Sequence, residues 1–299
     1  IGTIASDQIG SEGVTALTNG HYVVASSNWN GSFGAATWGD GSTGISGAVS
    51  GANSLVGSAT THRVGLGGVT SLLTNGNYVV ISQLWDNGAT ANVGAVTWGN
   101  GSTGTTGVVS GANSLIGSQA GDQIGFTGVT VLTNGNYVVR SQLWANGAAF
   151  NAGAVTWGNG STGITGVVSS ANSLVGSQTS DLVGERSVTA LSNGNYVVAS
   201  PWWDNGAVVG AGAATWGSGT TGVNGVISSI NSLVGSNTDD NIGYSSIIAV
   251  GVTALTNGNY VVVSPGWSNG AVVDVGAATW GNGTTGITGV VSAANSLIG

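Results

Sequence analysis

Asn134-Gly135-Asn136-Tyr137-Val138-Val139, then Gly153-Ala154-Val155-Thr156-Trp157-Gly158, then Asn172-Ser173-Leu174-Val175-Gly176 is a set of blocks that recurs, with small changes, five times along the chain. The Trp of the second block falls at Trp38, Trp98, Trp157, Trp216 and Trp280, and the Asn of the third at Asn53, Asn113, Asn172, Asn231 and Asn295. Both series advance by 60, 59, 59 and 64 residues. A fixed period of this size marks propellers, solenoids or arrays, and it makes each position five observations instead of one.

Within one unit the residues read as strands. Val129-Thr130-Val131-Leu132 and Asn136-Tyr137-Val138-Val139 are β-branched and aromatic runs separated by Thr133-Asn134-Gly135. Asn-Gly between such runs is the strongest short-range hairpin signal and predicts a type I′ turn. A third strand spans 153–157 and exits through Gly158-Asn159-Gly160-Ser161-Thr162-Gly163, a second dense turn. A fourth runs from about Gly166 through Val168 towards Leu174-Val175. No window carries the i, i+3, i+4 apolar spacing of an amphipathic helix. Both prolines, Pro201 and Pro265, follow the second strand, where a missing N–H matters least.

Four antiparallel strands per unit, five times over, predict an all-β five-bladed β-propeller, in which radial repetition leaves only short edges. The expected units are about 11–57, 58–117, 118–176, 177–235 and 236–299, forming one body over 1–299. Residues 1–10 are expected as a closing segment against the last blade, because Ile1-Gly2 continues the register in which Ile298-Gly299 ends. An open array of sheets and a β-solenoid are the alternatives. A solenoid coil has a shorter period, roughly 20–30 residues, and its parallel strands are not joined by tight hairpins.

Composition excludes several functions. Charged residues are 5% of the chain, and eleven acids face three arginines (Arg63, Arg140, Arg186) and no lysine, for a net charge of −8. Nucleic acid binding requires clustered cations to neutralise phosphates, and these are absent. Disorder is excluded by 41% apolar residues and eleven tryptophans. No apolar run reaches the roughly 18 residues of a membrane-spanning helix, so membrane insertion is not expected. There is no cysteine for thiolate-based metal sites. The chain opens on Ile1 and not Met, and its surface is expected to be rich in Gly, Asn, Thr and Ser. Together these suggest a processed or excised segment of a secreted bacterial protein, located outside the cell or at its surface.

Variation concentrates between the second and third strands and before the first. Trp29 to Trp38 is 9 residues where Trp144 to Trp157 is 13, and the fifth unit carries five extra residues within 244–250. Strand alternation puts these two loop families at one end of every unit, where binding usually resides on a rigid scaffold. Two recurring features converge there. One is a loop tryptophan (Trp29, Trp85, Trp144, Trp203, Trp267), with Asn87, Asn146, Asn205 and Asn269 following the last four. The other is an acid, Asp7, Asp122, Asp181 and Asp240, replaced by His62 in the second unit. An exposed indole can stack on a pyranose face while Asp and Asn bind hydroxyls, so one site per unit would bind a glycan or cell-surface polysaccharide multivalently. Alternatively the indoles pack structurally, and the acids accept local backbone N–H groups as turn formers. The third-strand tryptophans are expected in the core, so Trp157→Ala should destabilise far more than Trp144→Ala. One carboxylate per unit does not make a calcium loop, and no metal or cofactor is expected.

Catalysis is not expected either. His21 replaces a turn Asn, His62 replaces the acid, and neither has a repeated Ser or acid partner. Glu12, Glu185 and Arg186 are each confined to one unit, and the Asn-Gly-Ser/Thr sequences at Asn30, Asn100, Asn159 and Asn282 read as turns before glycosylation acceptors.

The phrases Leu-Thr-Asn-Gly-Asn-Tyr-Val-Val and Ala-Val-Thr-Trp-Gly-Asn-Gly resemble a repeat of large secreted bacterial proteins related to filamentous haemagglutinin and other adhesins. The resemblance covers all five units and implies a β-propeller segment of an extracellular adhesin, with no catalytic residues to carry over. In architecture alone the chain is similar to five-bladed lectins, whose motifs it does not match. A non-enzymatic, carbohydrate-binding adhesive module is therefore the first expectation. A structural spacer or self-assembling subunit of an extracellular fibre or layer is the second.

Overall fold

The computed structural model describes residues 2–245 and 251–299. The protein is all-β, with five sheets of four or five strands matching the five repeats. It divides into two compact units, Ile1–Val131 with Gly135–Val139 and Gly158–Val168, and Leu132–Asn134 with Arg140–Trp157 and Ser169–Gly299. Most of the apolar insertion at 244–250, which its composition suggested as a cover for one end of a central channel, lies outside the described residues.

In the first unit, repeat one forms a meander of Gly13–Ala16, Tyr22–Ser26, Ala35–Gly39 and Leu55–Val56. Repeat two forms the same meander from Val69–Ser71, Tyr78–Ser82, Ala95–Gly99 and Ser114–Ile116. In the second unit the corresponding strands are Ser187–Ala190, Tyr196–Ser200, Ala213–Gly217 and Leu233–Val234, then Val252–Ala254, Tyr260–Ser264, Ala277–Gly281 and Ser296–Ile298. The third repeat supplies Gly128–Val131, Tyr137–Ser141, Ala154–Gly158 and Ser173–Val175.

The fourth strand is not the single run expected from the sequence. Gly107–Val108 leaves its own repeat and pairs in parallel with Leu55–Val56 of the repeat before. Gly166–Val167 does the same with Leu115–Ile116, and Gly289–Val290 with Leu233–Val234. A turn separates each such piece from the strand that completes its own meander. Asn113 makes this turn, accepting the Ser110 N–H at 2.8 Å and donating to the Val108 carbonyl at 2.9 Å. Asn231 repeats both bonds at 2.9 Å with Ser228 and Val226. The Asn-Ser-Leu signature is thus the pivot at which the chain changes sheets, and the parallel pairs it creates escaped an all-antiparallel reading.

The Asn-Gly hairpins also differ from the two-residue type I′ turn. Leu17 N–H bonds to the His21 carbonyl at 2.8 Å and Gly20 N–H to Leu17 at 3.1 Å, enclosing Thr18-Asn19-Gly20. Gly20 has φ +88°, while Asn19 is not among the positive-φ residues. A three-residue loop ending in a left-handed glycine needs positive φ at one position only.

The core is made by residues that recur. The second strand is β-branched on both faces because both faces are covered, and Val79, Val138 and Val197 are fully buried. Tyr78 pairs in register with Gly99, and a methyl group at Gly99 would lie 2.1 Å from the ring. The glycine is there to let the tyrosine lie flat across the neighbouring strand, which explains why Tyr-Val-Val and Thr-Trp-Gly recur together. Beneath them the hydroxyls of Thr97 and Ser114 share a buried hydrogen bond of 2.7 Å, as do those of Thr156 and Ser173 and of Thr215 and Ser232. Burial raises the phenols of Tyr78, Tyr137, Tyr196 and Tyr260, to about 12 for Tyr78 and Tyr260.

Candidate functional site

The loop after each second strand is built around its tryptophan. Trp85 N–H bonds to Ser82 at 3.0 Å, Gly94 N–H bonds back to Trp85 at 2.9 Å, and Asn87 and Thr90 exchange backbone bonds at the tip. The shorter first loop is a single turn over Trp29–Ser32 in which Asn30 and Gly31 have φ of +51° and +66°, so it is left-handed and not an ordinary helix. All five indoles lie inside: Trp29, Trp85, Trp144, Trp203 and Trp267 are 3–8% exposed. Each also holds a buried Nε1 without a hydrogen-bond partner. No face of these rings is offered to a pyranose.

The recurring acids are also buried, and their oxygens are engaged. Asp181 accepts the N–H groups of Ser177 at 2.7 Å and Gln178 at 2.9 Å on one oxygen, and that of Asp204 at 3.0 Å on the other. Asp240 does the same with Ser236, Asn237 and Ser268, and Asp7 with Thr3, Ile4 and Asn30. Asp122 takes Ser118 and Gln119, both at 2.8 Å. Asp204, Ser268 and Asn30 each directly follow a loop tryptophan. The carboxylate therefore clamps the turn that carries it to the tryptophan loop, the turn-forming alternative raised from sequence. Burial pushes the Asp181 carboxyl up, opposed by its three N–H donors. At Asp7 burial acts in the same sense, but the N–H groups of Ile4, Thr3 and Asn30 prevail and hold it below the usual range.

His62 occupies the acid position in repeat two and accepts the Ser58 N–H on Nδ1 at 3.2 Å. Its ring meets Trp85 edge-on at 5.7 Å. Burial lowers its pKa, and the Asp86 carboxylate pulls the other way.

The loop asparagines divide. Asn146 donates to the Gly176 carbonyl at 2.9 Å and Asn205 to Gly235 at 3.5 Å, whereas Asn87 and Asn269 are exposed at loop tips. Asn146 also borders an open polar groove with Ser177, Gln178, Thr179 and Asp204. Among the described residues no group of His, Cys, Asp or Glu is arranged to hold a metal ion.

The third-strand tryptophans carry a contact that sequence reasoning missed. Trp38 donates its indole N–H to the carbonyl of Gly101, one repeat on, at 2.9 Å. Trp98 bonds to Gly160, Trp157 to Gly219 and Trp216 to Gly283, at 2.9–3.0 Å. The hairpin asparagines converge on the same carbonyls: Gly160 also receives Asn75 and Asn77, and Gly283 receives Asn193 and Asn195. Trp38, Trp98, Trp157 and Trp216 are only half-buried, and Trp280 is 51% exposed. The burial order of the two tryptophan series is the reverse of that expected. Strand alternation places Val155 and Trp157 on one face, but the longer indole reaches past the core onto the next repeat's turn. The signal that could have revealed this was the fixed glycine in that turn.

These contacts define an all-β tandem-repeat protein in which each of the first four repeats is finished by parts of the next. Its sequence matches the family described as a repeat of unknown function, DUF5650, over 16–66, 72–126, 131–185, 190–244 and 254–299. The chain belongs to that family. No curated protein matches it.

Proposed function

We propose that this chain is a non-enzymatic structural module of an extracellular assembly, a tandem-repeat protein whose recurring chemistry serves cohesion. The observation that carries the reading is the convergence of Trp98, Asn75 and Asn77 on the Gly160 carbonyl, repeated at Gly283. The loop tryptophans and the acids that suggested a ligand site, with Asn146 and Asn205, hold loop to strand and turn, whereas Asn87 and Asn269 stay exposed. Low charge and a Gly-, Asn- and Thr-rich chain suit a secreted or surface-exposed protein. For the fold, the finer reading is the propeller type, in which successive sheets pack face to face as blades. Within the first unit Leu17, Val23, Ala36 and Leu55 of repeat one pack with Tyr78, Val80 and Val109 of repeat two, which supports that reading. Sedimentation velocity across a concentration series tests the function: self-association is expected, and a monomer at every concentration would contradict it.

A second reading, carbohydrate binding, draws on the polar groove between Asn146 and Asp204. Its shape suits a hydroxyl-rich chain better than a single ring stacked on an indole. Calorimetry with soluble oligosaccharides tests it, using Asp204→Ala as the control: heat that is unchanged by the substitution would remove the groove from consideration.

A further inference from the structure

We propose that the surface cluster of Trp202, Tyr244, Glu185 and Arg186 is a binding site for one uncharged pyranose unit of a glycan. The proposal shares its ligand class with the second reading above but none of its residues, and the cohesion reading stands without it. It starts from what the repeat does not use. Ten of the eleven tryptophans fall into the two series of five, and five of the six tyrosines open a second strand. The two left over, Trp202 and Tyr244, lie against each other, with ring centres 5.5 Å apart and planes tilted by 48°. The whole chain holds two glutamates and three arginines, and one of each, Glu185 and Arg186, completes the group. All four belong to the second compact unit.

The fold does not demand these side chains. Trp202 directly precedes the buried Trp203, and the same place holds Asn28, Leu84, Leu143 and Gly266 in the other repeats. Glu185 and Arg186 stand where repeat two has Leu66-Gly67 and repeat three has Phe126-Thr127. An indole that packing required would be covered, yet Trp202 is 37% exposed. It is nonetheless held. Its Nε1 donates to Glu185 Oε2 at 3.1 Å, with Tyr244 as its other support. The Arg186 guanidinium carbon lies 5.0 Å from the centre of the Tyr244 ring, a cation–π contact that steadies the phenol in turn. Glu185 also acts on the Arg140 guanidinium, whose pKa burial pushes down and the carboxylate's charge pushes up. An aromatic surface left open but already locked in place loses little freedom when a ligand covers it.

The chemistry of the cluster selects the ligand. A cation is disfavoured, because Arg140 and Arg186 bring positive charge to the group and Arg186 already stands over Tyr244. A polyanion is disfavoured by the chain's net charge of −8. What fits is an uncharged molecule with a flat C–H face for the indole and hydroxyls around its edge, which both donate and accept. Glu185 accepts from one hydroxyl and Arg186 donates to another. A proline-rich strand also has a flat apolar face, but its prolines have no N–H to give the carboxylate. The site occurs once per chain, since no other repeat carries an aromatic residue directly before its loop tryptophan. That separates it from the five-fold site expected from the recurring indoles.

Titration calorimetry of the whole chain tests the site, using neutral oligosaccharides of glucose, galactose, mannose and N-acetylglucosamine, with polygalacturonate and a polyproline peptide beside them. At least one neutral saccharide is expected to bind, at one site per chain. Trp202→Leu installs the residue that repeats two and three carry there, and should weaken binding about tenfold or more with the melting temperature unchanged. Phe126→Ala removes an exposed aromatic of another repeat and should leave binding as it was. Hydroxyl-radical footprinting of the wild type needs no substitution: saturating saccharide should shield Trp202 and not the exposed Trp280. The proposal is overturned if no neutral saccharide binds, if five bind per chain, if polygalacturonate or polyproline binds in their place, or if Trp202 stays unshielded. Binding kept in Trp202→Leu would overturn it as well, and a lowered melting temperature in that variant would then show that the cluster only packs. Binding kept in Trp202→Leu but lost in Asp204→Ala would move the carbohydrate reading to the groove.

Discussion

Trp98 and Gly163 are 65 positions apart in sequence, yet a methyl group on the glycine would sit 2.6 Å from the Trp98 Cβ. The glycine also holds φ +76°, so it is fixed twice, by backbone and by neighbour. Gly163→Ala should lose about 2–4 kcal/mol, combining left-handed strain with overpacking. Gly44→Ala shares the strain at φ +75° without the neighbour and should lose about 1–2 kcal/mol. Urea denaturation compares the two, and equal losses would mean that Gly44 is covered in solution.

The tryptophan series give a second pair. Trp144 is 4% exposed and central to its loop, so Trp144→Ala should destabilise by about 3–5 kcal/mol. Trp280→Ala, at a ring half in solvent, should cost well under that in dilute protein. Thermal melts that rank them in the other order would show that the loop indoles are not core.

His62 makes stability depend on acid. Its pKa in the folded protein lies below the usual 6.5, because burial disfavours the cation and Nδ1 already accepts the Ser58 N–H. As pH falls below 6.5 the unfolded chain takes up a proton that the folded one resists, so stability is lost downward from there and is unaffected by this group above it. His62→Asp restores the clamp of the other repeats and should flatten the decline between about pH 6.5 and 5. An unchanged pH profile of the melting temperature would remove His62 from that role.

The residue after each clamp is left-handed, and in repeat four it is Leu182, with φ +49°. Leucine pays roughly 1–2 kcal/mol for this conformation, and asparagine tolerates it better. Leu182→Asn should therefore stabilise by about 0.5–1 kcal/mol in denaturant. A loss of stability would mean that the side chain's packing outweighs the relief.

The period, the strand pairs and the grouping of the two loop families were legible because they rest on local rules of alternation and turn chemistry. Asp181 could be assigned to its turn for the same reason. What was not legible depends on partners a whole repeat away. Nothing local in Gly166-Val167 says that it will pair with Leu115-Ile116. Nothing local in Trp157 says that its N–H will find Gly219 in place of a core neighbour. Trp144 misled for the opposite reason: a loop position suggested exposure, but the tight Asn146-Ala149 bend and the bond from Gly153 N–H back to the Trp144 carbonyl fold the loop over it.

The most direct test of the account is urea denaturation of Trp98→Phe beside the wild type, since the substitution removes the indole N–H that reaches the Gly160 carbonyl of the next repeat. The account predicts a loss of about 1 kcal/mol or more. An unchanged midpoint would contradict the claim that these indoles hold one repeat to the next.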